Sequence, residues 1–262
     1  MHLRRKLALA AALSVVVASS ITVLAVKYGV PDEGEHPYVG LVVFYDDANP
    51  PAPQWRCTGT LISPTVLLTA GHCTELNLRA QVWFQEDVNA VPGYPYSGGV
   101  MGTAQTYPGW GASFPNSGDA GVVVLDEPVN LGYATLAPVG YLDALATARG
   151  QKSVNFQLVG YGLQQVKPFL LAFRQRLKAW VQLVNLNNAL TDGYNIQVTS
   201  SKGKGTGGGG ICFGDSGGAI FNEGGDIVAV NSFVLNENCS GVGFGYRVDT
   251  QDVQEWILSF LD

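Results

Sequence analysis

Thr65-Val66-Leu67-Leu68-Thr69-Ala70-Gly71-His72-Cys73 is an apolar stretch that runs directly into a histidine. Residues 65–70 are rich in β-branched and leucine side chains and are too few for a helix, so they read as a strand. Ser63-Pro64 breaks them from a preceding strand over residues 55–63. His72 therefore stands at a strand end, where an imidazole can reach a cleft. Such a residue is either a satisfied core imidazole or a base, and its partners elsewhere in the chain decide between the two.

Outward from this stretch the chain reads as many short strands. Residues 38–45, 81–84, 121–125, 153–160, 174–186 and 196–199 carry the apolar runs or alternation that strands need. Residues 219–221 and 227–233 read as a hairpin around Asn222-Glu223-Gly224-Gly225-Asp226, and residues 243–248 as a last strand. Pro50, Pro51 and Pro53 make residues 46–54 a loop; residues 91–115 read as turns and residues 200–210 as a flexible Gly/Lys/Ser loop. The end differs. Val253, Trp256, Ile257 and Phe260 form one apolar helical face, and Asp249 or Thr250 can cap a helix over residues 250–261. Many short strands with one terminal helix predict an all-β fold.

Composition narrows the function. The 262 residues are 47% hydrophobic, enough for one large domain or two small lobes. Charged residues are 14% and the formal net charge is -6, with no basic stripe, which argues against a nucleic-acid partner. The one dense basic cluster, Arg4-Arg5-Lys6, precedes the apolar and small residues 7–26. That order is the signature of a secretory signal peptide over residues 1–25, cut after Ala25 or, alternatively, after Ser20. Cutting after Ala25 removes three cations and no acid, which takes the net charge from -6 to -9. The rival reading is an uncleaved anchor, the only route to a membrane here. Both readings place the remainder outside the cytoplasm, secreted or anchored. Disulfides are then permissible among Cys57, Cys73, Cys212 and Cys239, with the pairing open. No C-x-x-C occurs, so no thiolate zinc site is expected.

The chemistry gathers on Gly214-Asp215-Ser216-Gly217-Gly218. A hydroxyl between glycines can sit on a tight turn whose backbone N–H groups face a developing oxyanion. Ser216 needs a base, because a serine hydroxyl is a weak nucleophile at neutral pH. His2 lies in the leader and His36 reads as a surface residue beside Pro37, which leaves His72. A histidine base needs its second nitrogen held by an acceptor. Asp119 stands just before the apolar residues 121–125, where a carboxylate is costly unless paired, and His72 is its natural partner. Asp126 and Glu127 read as turn residues after that strand.

With these residues in place, the chain resembles the chymotrypsin/trypsin-like family of serine proteases. Thr69-Ala70-Gly71-His72-Cys73 resembles the family's histidine motif, Asp119 with its strand the aspartate motif, and Gly214 to Gly218 the serine motif, in the family's order at separations of 47 and 97 residues. The resemblance covers residues 28–262, weakly in the middle. It implies an all-β fold of two packed six-stranded antiparallel β-barrels with a C-terminal helix, the lobes spanning roughly residues 26–140 and 141–248. It implies disulfides Cys57–Cys73 and Cys212–Cys239. It implies catalysis by His72, Asp119 and Ser216, with the Gly214 and Ser216 N–H groups as oxyanion hole and no metal or organic cofactor. The expected form is a monomer acting on protein or peptide substrates.

The chain also departs from the family pattern. Animal members activate through a new Ile-Val-Gly-Gly terminus that pairs with the aspartate before the serine, here Asp215; residues 27–32 read Lys-Tyr-Gly-Val-Pro-Asp instead. A terminal amine, an internal Lys or Arg, or a polar network remain the alternatives for satisfying Asp215. The specificity-pocket base falls on Gly210, with no acid to pair a basic substrate, and the walls on Ser232, Phe233, Val234 and Gly243. Val234 narrows the pocket, so cleavage after small or medium apolar residues is expected. A catalytically silent binding or regulatory pseudoprotease is the alternative reading. An α/β-hydrolase is excluded, because there the acid and histidine follow the serine.

Overall fold

The computed structural model describes residues 26–76, 78–145, 154–201 and 207–261. The expected signal segment over residues 1–25 lies outside the described residues.

A two-residue strand, β1 (Val30–Pro31), comes first. β2 (Val39–Tyr45), β3 (Pro53–Leu61), β4 (Val66–Thr69), β5 (Arg79–Trp83), β6 (Val100–Thr106) and β7 (Gly121–Leu125) close into a barrel in the order β2-β3-β4-β7-β6-β5. β8 (Asn155–Gly160), β9 (Leu177–Asn185), β10 (Asn195–Ser200), β11 (Ala219–Phe221), β12 (Ile227–Val234) and β13 (Gly241–Arg247) run in the order β9-β10-β13-β12-β11-β8. β8 also pairs with β9, which closes this second ring, and β1 adds outside β9. The strand pairs in both barrels are antiparallel. Two short helices matter here: α1 (Gly71–Thr74) follows β4 directly, and α2 (Gln251–Leu258) ends the fold. The expected chymotrypsin-like pair of six-stranded barrels with a C-terminal helix is therefore the observed architecture.

Packing explains which runs became strands. β2 and β7 are almost wholly buried because one face fills the barrel and the other is covered, so they read as continuous apolar runs. Leu41, Phe44, Leu67, Leu68, Val122 and Val123 lie in one core cluster, which extends to Val253 and Ile257 of α2. Phe156, Leu158, Val181, Ile196 and Ile220 lie in the other. Burying Val253 and Ile257 stabilises the docked helix by about 1.5–3 kcal/mol each.

Four sequence expectations are corrected here. Residues 91–115 hold β6, whose mixture of Gly, Thr and Gln gives no apolar alternation; pairing with β5 and β7 makes it a strand. β3 begins at Pro53, a first position where a missing N–H is tolerated. Neither Asp249 nor Thr250 caps α2 through its side chain: Thr250 makes no side-chain cap bond, and Asp249 is buried against Arg247. His36 is not a surface residue. It is 8% exposed, with Nδ1 2.5 Å from Asp32 Oδ1, and Arg176 Nε lies 2.8 Å from the other oxygen of that carboxylate.

That buried cluster spans the barrels. The Arg176 guanidinium also donates to the carbonyls of Val39 and Phe84, and the Tyr161 hydroxyl donates to the Gln85 carbonyl at 2.9 Å. Cys57–Cys73 and Cys212–Cys239 are disulfide-bonded. Among the described residues no helix is long and apolar enough to cross a membrane.

Candidate active site

Antiparallel register brings the first two candidate residues together. β4 and β7 pair Thr69 with Gly121, so the residues that leave β4 lie beside those that enter β7. His72 on α1 thereby faces Asp119. The His72 N–H donates to Asp119 Oδ1 at 2.7 Å, and its Nδ1 lies 3.0 Å from both carboxylate oxygens. The Ser232 hydroxyl of β12 donates to Asp119 Oδ2, so the second barrel also grips this buried carboxylate. Ser232 was expected only as a pocket wall.

Charges follow from these contacts. Burial works to raise the Asp119 pKa, but hydrogen bonds from His72 and Ser232 outweigh it and hold the carboxyl below its usual range. Burial works to lower the His72 pKa, but the Asp119 hydrogen bond and charge, with Glu75, lift it above the ordinary imidazole value.

Ser216 sits on the turn that follows Cys212, and two glycines shape it. Gly214 has φ +95° and Gly217 φ +78°, backbone that favours glycine. A side chain at Gly217 would also strike Thr69 Oγ1 at 2.0 Å. The first barrel holds the turn through Thr58 of β3, whose N–H donates to the Ser216 carbonyl and whose hydroxyl donates to the Gly214 carbonyl, both at 2.8 Å. The Phe213 carbonyl accepts from the Leu163 N–H at 2.8 Å, and the Asp215 carbonyl from the Gly218 N–H at 2.9 Å. Each trans peptide then points its own N–H, that of Gly214 and of Ser216, the opposite way. Among the described residues neither of these N–H groups donates to a protein acceptor.

Asp215 lies beneath the turn, 1% exposed. Its carboxylate accepts from the N–H groups of Gly162 at 2.8 Å and Cys212 at 3.0 Å. Burial pushes its pKa up to about 7, against those two hydrogen bonds and the nearby Arg56 charge. Among the described residues, backbone donors with Arg56 close by make up the polar network around Asp215.

His72, Ser216, Ser232, Phe233 and Val234 line one cavity of about 250 Å³. At this cavity, among the described residues, hydrogen bonds join His72 to Asp119 and Asp119 to Ser232, and none joins Ser216 to His72. Such bonds commonly tighten when substrate binds. Ile211, Cys212 and Phe213 complete the lining. Sequence reasoning missed them, although they fill the short run between Gly210 and Gly214. Gly210 and Gly243 do not line the cavity. Gly210 is buried against Ser200 and pairs with Lys27, and Gly243 lies behind Ile211, whose Cδ1 is 2.9 Å from where a Cβ would stand. Trp110, in a stretch read only as turns, sets its ring 6.3 Å from that of His72.

The Cys57, His72 and Cys73 donor atoms also lie close together. Both sulfurs belong to one disulfide and offer no thiolate, so this set does not suit a metal. What the arrangement can do is hold an imidazole in one tautomer beside a hydroxyl and two outward N–H groups.

Comparisons with known proteins agree with this architecture. The family model described as Trypsin matches residues 30–257. Among solved structures, HL collagenase is 19% identical with a TM-score of 0.64, over 86% of this chain and 94% of that one. A mutant of human heparin binding protein (CAP37) is 19% identical with a TM-score of 0.62, over 91% and 96%. A structure titled GrC is 15% identical with a TM-score of 0.63, over 87% and 95%. These structural likenesses carry the fold. No curated protein sequence matches the chain.

Proposed function

The chain belongs to the trypsin family, and from that membership we propose that it is an exported serine endopeptidase with His72, Asp119 and Ser216 as its catalytic residues. The observation that carries the reading is the cavity shared by a carboxylate-held His72 and by Ser216, on a turn whose Gly214 and Ser216 N–H groups donate to no protein acceptor among the described residues.

The reaction is acyl transfer. Ser216 Oγ attacks the scissile carbonyl as His72 Nε2 takes its proton. Asp119 keeps the other ring proton on Nδ1 and stabilises the imidazolium that forms. The Gly214 and Ser216 N–H groups receive the oxyanion of the tetrahedral intermediate. The intermediate collapses to an acyl-enzyme as His72 gives the proton to the leaving amine, and water repeats the sequence to release the acid.

Specificity follows from the cavity. Among the described residues no acid lines it, and Ile211 and Val234 stand in the wall of its roughly 250 Å³. Small or medium apolar side chains before the scissile bond fit best. The disulfides suit an extracellular location, which a cleaved leader would supply.

A fluorophosphonate probe applied to the exported protein tests the assignment. Wild type labels, whereas Ser216→Ala and His72→Ala do not. Equal labelling of Ser216→Ala removes the nucleophile, and a strong Arg or Lys preference in a peptide library removes the specificity.

A further inference from the structure

Among the described residues, Arg79, Arg176 and Arg247 each pair with a carboxylate, namely Asp126, Asp32, and both Asp143 and Asp249. Arg56 and Arg174 pair with none. Arg174 Cζ is 5.6 Å from the Tyr94 ring centroid, and Arg174 and Tyr94 both act electrostatically on Arg56. Arg174 Nε is buried without a hydrogen-bond partner, and its one side-chain bond is to Asn89 Oδ1 at 3.0 Å. Its backbone takes φ +51°, uncommon for a residue with a side chain. Two cations held together and half-desolvated cost free energy that an anion between them would recover. Burial and then Arg174 hold Arg56 below its ordinary pKa, against Tyr94 and Asp215. The Asp215 carboxylate acts on Arg56 from a distance, but it is occupied by two backbone donors.

The position gives this pair its meaning. Arg56 precedes Cys57 on β3, and its Nε stands 3.7 Å from where a Cβ would sit on Gly214. It is absent from the lining of the cavity beside Ser216, which the second barrel builds mainly from residues 211–213 and 232–234. The cavity takes the side chain before the scissile bond. Arg56 therefore stands against the Ser216 turn outside that cavity, with Arg174 beyond it at the Tyr94 ring.

We propose that Arg56 and Arg174 form an anion-accepting subsite for the leaving segment of the substrate, taking a carboxylate one or two residues after the scissile bond. The inference rests on the proteolytic reading above and deepens it. The carboxylate comes from an Asp or Glu side chain or from a free C-terminus, which present the same two oxygens to a guanidinium.

Fluorogenic peptides with one apolar acyl sequence test it on the exported enzyme. The first two leaving positions carry Asp or Glu, or their amides Asn or Gln. A second pair ends two residues after the scissile bond as a free acid or an amide. Wild type is expected to favour the acid over the amide about tenfold in kcat/KM in at least one pair, which names the source. The preference narrows as salt rises. It falls to about parity in Arg56→Gln and Arg174→Gln, while hydrolysis of an anilide with the same acyl part stays within about twofold in Arg174→Gln. If Arg56→Gln does not fold beside Asp215, Arg174→Gln carries the test alone. A wild-type ratio near one in both pairs overturns the subsite, as does a preference that survives Arg174→Gln. Failure of the proteolytic reading looks different: neither anilide hydrolysis nor fluorophosphonate labelling of Ser216 is seen.

Discussion

The Thr58 hydroxyl donates to the Gly214 carbonyl at 2.8 Å, so a strand of the first barrel sets the turn that carries Ser216. The same oxygen accepts the Tyr161 N–H at 3.1 Å. Thr58 is fully buried, and its backbone N–H binds the Ser216 carbonyl as well. One residue thus ties the turn to both barrels.

Replacing Thr58 with Val keeps the shape and the backbone bond but strips the hydroxyl. The Gly214 carbonyl and Tyr161 N–H are then left unpaired in the interior, a loss of about 1–3 kcal/mol in unfolding free energy. The turn also loosens, so kcat is expected to fall by more than KM rises, while Thr58→Ser restores both. Denaturant unfolding alongside steady-state kinetics reads the two effects separately. Unchanged kcat in a destabilised Thr58→Val would confine Thr58 to a structural role.

Asp119 raises the His72 pKa above its ordinary value of 6.5, and only the neutral ring acts as base. The rising limb of kcat/KM against pH should therefore have its midpoint above 6.5, with activity lost as pH falls through it. Asp119→Asn removes the charge and the tautomer control. It should move that limb to lower pH and cut kcat by about 10³–10⁴-fold. A limb that stays in place in Asp119→Asn would falsify the assignment of the limb to this pair.

The sequence made part of this legible, for physical reasons. β7 is visible because both its faces are buried, so its residues read as one apolar run. His72, Asp119 and Ser216 stand out because each is a polar residue beside a buried strand or tight turn, and the fold does bring His72 and Ser216 to one cavity, with Asp119 behind. β6 was hidden, because barrel closure rather than local preference makes it a strand. His36 was misread because Arg176, which completes its cluster with Asp32, is 144 residues from that aspartate, a separation that no local pattern reports. Ile211 was missed because the family resemblance, counted back from Ser216, put the pocket base on the adjacent Gly210, whereas the Cβ direction at Gly210 leads to Ser200.

Asp215 should make stability fall as pH rises. In the unfolded chain its carboxyl loses its proton near the ordinary value of 3.8, whereas in the fold burial holds the proton up to about 7. Between those values the native state binds more protons than the unfolded state, so unfolding free energy declines with pH, by at most about 1.4 kcal/mol per pH unit. Asp215→Asn removes the titration whatever constant cost the amide adds. The difference in unfolding free energy, native sequence minus Asp215→Asn, should therefore decline across that window and flatten above it. Urea unfolding in a Ser216→Ala background, which prevents self-cleavage, measures it. A flat difference would show that the carboxyl titrates at its ordinary value in the fold.

Ile211 and Val234 both line the cavity beside Ser216, and among the described residues neither is hydrogen-bonded to His72. Trimming them should change which side chain is accepted without disabling the chemistry. Ile211→Gly removes the side chain that packs against Gly243, and Val234→Gly removes a second side chain from the lining. Each lost methylene contact shifts preference by about 1 kcal/mol, roughly fivefold. The double variant should therefore gain Phe or Leu before the scissile bond by about 10- to 100-fold relative to Ala or Val, measured as ratios of kcat/KM. Ratios, rather than absolute rates, isolate the pocket, because any disturbance of the Cys212 turn slows all substrates alike. Fluorophosphonate labelling at the wild-type rate would show that the turn is intact. Preference unchanged under those conditions would place the specificity elsewhere in the cleft, with the exposed Phe213 as the next side chain to test.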